Sequence, residues 1–344
     1  MLKPETKTEL KKIAIGSAKI LSFIIIGILL IEILSFTYFS KRGATTYKTS
    51  LNKAYSFLHE PANTLDIVGI GNSDLYSAMV PAELWSKYGY TCNVISSPHQ
   101  TPLQSYKMLQ SLFENQKPKV VVVEIDMLYD DSLEDRSAVI GEENFIQFLF
   151  SNFNADDFDE LIKTEASIFT FHDKWKHIGE PQKIETPHSH GYKYSDTVRR
   201  VVIKDYMTET DKKEPIKNAN AQQLANMVKL CHDNGCEVFF VEMPTVTSWN
   251  SERHNAVADL SEKMNIDFVD YNLLVDEIGL NLNRSFRDMG NHLNYDAAVK
   301  LTDNMGEYIK NNYNLEDRRK DPNYKFYQES VDKFYEEIKT GDFE

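Results

Sequence analysis

Residues 67–76 read IVGIGNSDLY. An apolar run closes on a glycine and passes directly into Asn72, Ser73 and Asp74. A short continuous apolar run bounded by turn formers is the pattern of a strand covered on both faces. Gly, Asn, Ser and Asp end strands on conformational grounds alone, so the turn has an ordinary explanation. It also has a chemical one. Open α/β sheets hold their ligands outside the carboxyl ends of their strands, where a serine such as Ser73 is displayed as a nucleophile.

Working outward, short apolar runs alternate with segments of helical period. LDIVGIG (65–71) is followed by VPAELWSKYG, expected as a short helix, and CNVISS, expected as a second strand. TPLQSYKMLQSLFENQ has helical spacing, and Pro118 then leads into KVVVVEI (119–125). Four valines in a row without alternation indicate a strand buried on both sides, as in a parallel sheet. ANAQQLANMVKLCHDNG leads to CEVFFVEMP (236–244), NSERHNAVADLSEKMN leads to IDFVDYN (266–272), and YDAAVKLTDNMGEYIKNNY forms a last long helix. Five strands separated by helices predict an α/β fold with a doubly wound, mainly parallel sheet in three layers. Residues 129–215 break the rhythm, being polar and aromatic, and are expected as an insertion over the sheet. The tail, 314–344, carries aromatics at 324, 326, 327, 334 and 335 and is expected to end in an amphipathic helix packed back on the domain.

The bulk properties narrow the functional classes. The chain has 344 residues, of which 42% are apolar and 26% charged, the composition of a folded protein. A net charge of −14 argues against a nucleic-acid partner, which needs clustered Lys and Arg. Three cysteines, Cys92, Cys231 and Cys236, are too few for a disulfide framework. His172, His177, His188 and His190 are close in sequence, yet their spacing fits no standard metal site. No metal and no cofactor is expected.

The N-terminus stands apart. Residues 13–39 contain only Lys19 and Glu32 as charges, and about 20 apolar residues suffice to cross a bilayer. Each charge is within a turn or two of an end and can snorkel to the interface. The span is expected as an uncleaved single-pass anchor, with residues 1–12 cytoplasmic and 40–63 as a connector. Lys3, Lys7, Lys11 and Lys12 precede it, and Lys41, Arg42, Lys48 and Lys53 follow it, so positive charge does not choose an orientation. Long domains translocate largely regardless of charge, and the large domain is placed outside the cell membrane on the strength of the function it is expected to have.

A second polar cluster, FRDMGNHLNYDAA, brings Asp288 and His292 just ahead of the last long helix. Ser73 after the first strand, with Asp288 and His292 before the final helix, resembles the SGNH/GDSL hydrolase superfamily. GNSD stands where that family has Gly-Asp-Ser, or Gly-Ser-Ser in its cell-envelope branch, and KPKVVVVEID and VFFVEMP are similar to core strands of that branch, which includes DltD-like and alginate O-acetylation proteins. The resemblance spans about residues 64–313. It implies that Ser73 is the nucleophile, His292 the base and Asp288 the residue that orients it. This is chemically sensible, since a serine hydroxyl needs a hydrogen-bonded base and the base needs a fixed tautomer. The branch also implies an acyl ester on a cell-surface glycan or teichoic-type polymer as substrate, and a membrane-embedded O-acyltransferase as partner. A non-catalytic glycan-binding or assembly protein of the envelope is the alternative.

The sequence departs from the family in three places. Asp288-x-x-x-His292 is one residue longer than the family's spacing. The Gly-x-Asn-Asp block, whose Asn serves the oxyanion hole, has no counterpart, and Glu124, Ile125 and Asp126 stand there instead. The family's second-block glycine is also missing, and the segment offers Asn93, Ser96, Ser97, His99 and Gln100. Substrate or oxyanion contacts are therefore sought among Asn72, Asp74, Asn93, Ser97, Gln100 and Glu124.

Overall fold

The structure, a computed structural model, describes residues 4–36, 53–130, 188–203 and 206–341. Most of the expected insertion and about half of the connector lie outside these residues. The chain divides into two compact units. One includes the N-terminal helix α1, and the other comprises Thr45–Glu142 and Lys183–Glu344. α1 runs Pro4–Phe36, and its stretch Lys11–Ile31 is long and apolar enough to cross a membrane. The apolar residues along it, among them Ile20, Phe23 and Ile24, are exposed. A helix apolar all round belongs in nonpolar surroundings rather than in water.

The larger unit holds a five-stranded sheet with every neighbouring pair parallel. Its strands are β1 (Ile67–Gly71), β2 (Cys92–Ser96), β3 (Val120–Glu124), β4 (Glu237–Glu242) and β5 (Phe268–Asp270), in spatial order β2-β1-β3-β4-β5. The helices are α2 (Ser73–Ala78), α3 (Pro81–Tyr88), α4 (Pro102–Phe113), α5 (Asn218–Asp233), α6 (Ser251–Met264), α7 (Tyr295–Asn312) and α8 (Lys325–Thr340), numbered among the described residues.

The run of four valines is explained by the two faces. Successive strand residues point to opposite sides, and Val121 and Val123 join Val68, Ile70, Val238 and Phe240 in a core completed by α4 and α5. Val120 and Val122 join Ile67, Val94, Phe239 and Val241 in a second core, completed by α2, α3 and α7 through Leu75, Met79, Leu84, Leu301 and Met305. Each valine is buried completely, which no single-faced sheet would require. The strand order reverses beside β1, because β2 continues the sheet on one side of it and β3 on the other. Ligands bind at such a switch point, at the carboxyl ends of the strands, and Ser73 follows β1 directly.

The C-terminal tail packs back as its aromatics predict. Tyr327, Val331 and Phe334 of α8 are buried with Trp85 and Tyr192 in a third cluster. Tyr327 does more than fill space. Its hydroxyl accepts from the Cys92 N–H at 2.9 Å and donates to the Cys92 carbonyl at 2.6 Å. The His190 carbonyl accepts the next free amide of β2, that of Val94, at 2.8 Å. An uncovered edge strand is a template for pairing with other chains, and here α8 and residue 190 occupy it. Cys92, Cys231 and Cys236 are free and buried.

Candidate active site

α2 begins at Ser73 because Asn72 caps it. The Asn72 side-chain oxygen accepts from the Asp74 N–H at 2.9 Å, the usual device for satisfying a helix's first donors. Four further hydrogen bonds fix the turn. The Asn72 N–H donates to Glu124 Oε2 at 2.8 Å, its side-chain amide donates to Asp126 at 3.3 Å and Asp130 at 3.2 Å, and its carbonyl accepts from the Ser96 hydroxyl. The end of each flanking strand thus holds the residue before Ser73.

On the other side, the loop before α7 folds back on itself. The Arg287 N–H donates to the His292 carbonyl at 3.0 Å, and Phe286 pairs with Leu293. Asp288 sits in this turn with one oxygen, Oδ1, accepting from the N–H groups of Gly290, Asn291 and His292 at 3.1, 2.9 and 3.1 Å. Its other oxygen is hydrogen-bonded to His292 Nδ1. Gly290, at φ 111°, lets the chain turn tightly enough for the longer Asp288–His292 spacing to close. A side chain there would also strike Val246, 2.4 Å from the position of a Cβ.

His292 Nε2 lies 2.8 Å from Ser73 Oγ. Ser73, His292 and Asp288 therefore form one hydrogen-bonded chain, with the carboxylate on Nδ1 and the hydroxyl on Nε2. Burial pushes the Asp288 carboxyl up, but the His292 ring and the N–H groups of Asn291 and His292 outweigh it and hold it well below the usual carboxylate range. An ionised Asp288 keeps the proton of neutral His292 on Nδ1, leaving Nε2 free to accept. Asn291 contributes as well. Thr247 donates to its side-chain oxygen at 2.8 Å, and its amide nitrogen faces Nε2 at 3.3 Å, a second donor aimed at the unprotonated nitrogen.

The remaining sequence candidates separate into those near the triad and those spent elsewhere. Asp74 is buried, and its Oδ1 lies 3.7 Å from His292 Nε2 with no hydrogen-bond partner among the described residues. Burial, then the charges of Asp126, Glu124, Asp130 and Asp288, pushes its carboxyl well above the usual range. Asn72 and Glu124 brace the turn instead of lining a pocket: Glu124 is fully buried, accepting from Asn72 and, at 2.7 Å, from the Asp126 N–H. Gln100 is saturated by Ser97, the Ile95 carbonyl and Ser105, so Ser97 and Gln100 stiffen the loop after β2. Asn93 is displaced altogether. It pairs with Val68 in the register, three residues short of Gly71, about 10 Å from the strand end, and it binds Ser56 and Glu60. A side chain on an edge strand can be placed only once the register is known. Of the clustered histidines, His188 is paired with Glu337 and His190 with Glu60 at 2.7 Å. His172 and His177 lie outside the described residues, and among the described residues no group of side chains has the makings of a metal site.

Several residues of the site carry no signal in the sequence. Tyr76, on the inner face of α2, stacks on the His292 ring with planes 4° apart and centroids 6.1 Å apart. Arg287 reaches under α2 to donate to the Ser77 hydroxyl at 2.8 Å, and Ser77 donates to the Ser73 carbonyl at 2.8 Å. The period-3.6 placement of Ser73, Tyr76 and Ser77 on one helical turn was there to be found, but only if a helix starts at Ser73.

No family model matches the chain, and no curated protein matches it. Solved structures are similar to it in outline. A structure named for the G-D-S-L lipolytic family, from Desulfitobacterium hafniense, is 10% identical with a TM-score of 0.35, covering 70% of this chain and 98% of its own. One named as an acylhydrolase, from Bacteroides fragilis, is 12% identical with a TM-score of 0.35, covering 78% of this chain and 97% of its own. A Bacillus subtilis protein is 13% identical with a TM-score of 0.34, covering 73% and 57%. At this level of likeness, the roles of individual residues come from this chain's own geometry.

Proposed function

We propose that this chain is an SGNH-type serine esterase or O-acyltransferase, held at a cell membrane by α1. The observation that carries the reading is the 2.8 Å contact of Ser73 Oγ with a His292 whose other nitrogen is bound by Asp288. Ser73 Oγ attacks an ester carbonyl while His292 Nε2 takes its proton, and the C–O bond of the ester then breaks as His292 returns that proton to the leaving alcohol. An acyl group is left on Ser73. Water or a second hydroxyl, deprotonated by the same nitrogen, displaces it and restores the serine. The Ser73 N–H, first in its helix and without an intrahelical acceptor, is one donor to the developing oxyanion.

The substrate class is an acyl, and by preference acetyl, ester on a glycan or teichoic-type polymer of the bacterial cell surface. α1 supports this choice by keeping the site near membrane-bound acyl donors, with a membrane-embedded O-acyltransferase as the partner that would load Ser73. The test is labelling of the full chain in detergent with a fluorophosphonate. Wild type is expected to label, and Ser73→Ala and His292→Ala are not. A folded wild type that stays unlabelled overturns the free-standing esterase and favours a non-catalytic envelope protein built on the same fold.

A further inference from the structure

Around the triad the charge is unevenly balanced. Among the described residues, the other partly buried arginines are neutralised by carboxylates: Arg253 by Asp126 and Glu214, and Arg318 by Asp66 and Glu316. Arg287 is held, among the described residues, only by neutral acceptors, the Lys193 carbonyl at 2.9 Å and the Ser77 hydroxyl at 2.8 Å. Lys193, whose N–H donates to the Tyr76 carbonyl at 2.8 Å, has no ion pair either among the described residues. Both cations lie over the ring of Tyr76, the Arg287 guanidinium carbon 5.6 Å and Lys193 Nζ 5.4 Å from its centroid, and that ring is the one stacked on His292. The Lys193 ammonium is pushed down first by burial and then by two more cations, Arg287 and Lys53. Two like charges gathered over one aromatic ring, in a chain of net charge −14, repel one another unless an anion sits between them.

We propose that Arg287 and Lys193 form an anion-recognition site beside the Ser73–His292 pair, so that the ester this chain acts on carries a carboxylate or phosphate close to its acyl carbonyl. This rests on the serine-ester reading above and narrows its substrate. The guanidinium is two hydrogen bonds from the Ser73 carbonyl, through Ser77. Its remaining N–H groups face no protein acceptor among the described residues, and a guanidinium fork suits either oxyanion. The partly exposed Lys193 supplies a point charge beside it.

The experiment compares hydrolysis of phenyl acetate, 4-acetoxybenzoate and 4-acetoxyphenyl phosphate by the full chain in detergent, by Arg287→Gln and by Lys193→Met, with Ser73→Ala as the blank. One anionic ester is expected to be preferred over phenyl acetate by about tenfold or more in kcat/KM, the size of one charge-assisted hydrogen bond. The ester preferred distinguishes carboxylate from phosphate. Each substitution is expected to remove most of that preference, read as the ratio of kcat/KM for the anionic ester to that for phenyl acetate. Ser73-dependent turnover of phenyl acetate with the same preference in wild type and both variants overturns the anion site and leaves the esterase standing. If no ester is turned over, the esterase reading fails, and titration calorimetry of benzoate and phenyl phosphate into the folded chain decides the anion site alone. Binding that Lys193→Met weakens upholds it, and no binding overturns it. Arg287→Gln also loses a link to Ser77, and the surface variant Lys193→Met guards against mistaking a folding defect for lost recognition.

Discussion

Replacing Asp288 by Asn tests the triad more sharply than deleting it. Asp288 Oδ1 accepts three backbone N–H groups, and Oδ2 faces His292 Nδ1. An asparagine must keep its one oxygen toward the three N–H donors, because turning the amide round would set its NH2 against all three. That orientation points the amide nitrogen at Nδ1. A donor there stabilises the tautomer in which Nδ1 accepts and Nε2 carries the proton, and a protonated Nε2 cannot take the proton of Ser73. The same change in a serine-protease triad lowers kcat about ten-thousandfold, equivalent to about 5 kcal/mol of barrier, and a loss of that order is expected here. The turn's own hydrogen bonds survive, so the thermal midpoint should change by no more than a few degrees. Steady-state hydrolysis of 4-nitrophenyl acetate and a thermal melt, on the same preparation of the full chain in detergent, give both numbers. An Asp288→Asn protein within tenfold of wild type would refute the claim that this carboxylate sets the tautomer. So would a large loss of activity accompanied by an equal loss of stability, since the amide orientation would then not be fixed.

Three other outcomes follow from the buried polar groups. Tyr327→Phe leaves the Cys92 N–H and carbonyl without their partner, which at about 1–3 kcal/mol per unsatisfied group should lower stability by about 2–4 kcal/mol in urea unfolding; a loss below 1 kcal/mol would show the edge to be otherwise satisfied. Glu242 is fully buried, with both oxygens unpartnered among the described residues, and burial, then Glu124, Asp126, Asp74 and Asp270, pushes its carboxyl well above the usual range. Native Glu242 thus keeps a proton that the unfolded chain has released, and stability falls as pH rises above its ordinary value, by up to about 1.4 kcal/mol per pH unit. Asp126, pushed up to about 6 chiefly by burial, acts in the same sense below that pH. Glu242→Gln should therefore gain on wild type between pH 5 and pH 8 in urea midpoints, and parallel curves would refute the assignment. Gly71→Ala places a Cβ 2.5 Å from the Glu124 Cβ and 2.6 Å from Oε2. Displacing that brace should cost about 1–3 kcal/mol and lower 4-nitrophenyl acetate turnover as well, whereas unchanged turnover would show that Glu124 does not hold the Asn72 turn.

The readable part of this chain is the part governed by local pattern. The four valines of β3 cannot alternate, and burial on both faces is the reason. Ser73 and His292 are legible because each stands where chain direction changes, after a strand and before a helix. Asp288 is harder. Its distance along the chain from His292 looks one residue too long until Gly290 is seen at φ 111°. Asn93 shows the limit from the other side, since nothing in CNVISS tells which residue is level with Gly71. The roles of Glu124, Gln100 and Ser97 depend on partners from elsewhere in the fold, and a polar residue at a strand end reads alike whether it meets substrate or a backbone amide. Tyr76, Ser77 and Arg287 require both the helix at Ser73 and the hairpin at Arg287, two features that meet only in three dimensions.

The cover on β2 has a consequence for biosynthesis. The edge emerges from the ribosome at Cys92, but the hydroxyl that caps it belongs to a residue 235 positions later. At about 5–20 residues per second, β2 waits roughly 12–47 seconds for Tyr327. During that interval the Cys92 end of the edge, its N–H and carbonyl, is open to any extended segment nearby, including those of sister chains on the same message. Nascent chains stalled before residue 327 should therefore be the aggregation-prone species, and their rescue by a chaperone that binds extended segments should be needed only until α8 is made.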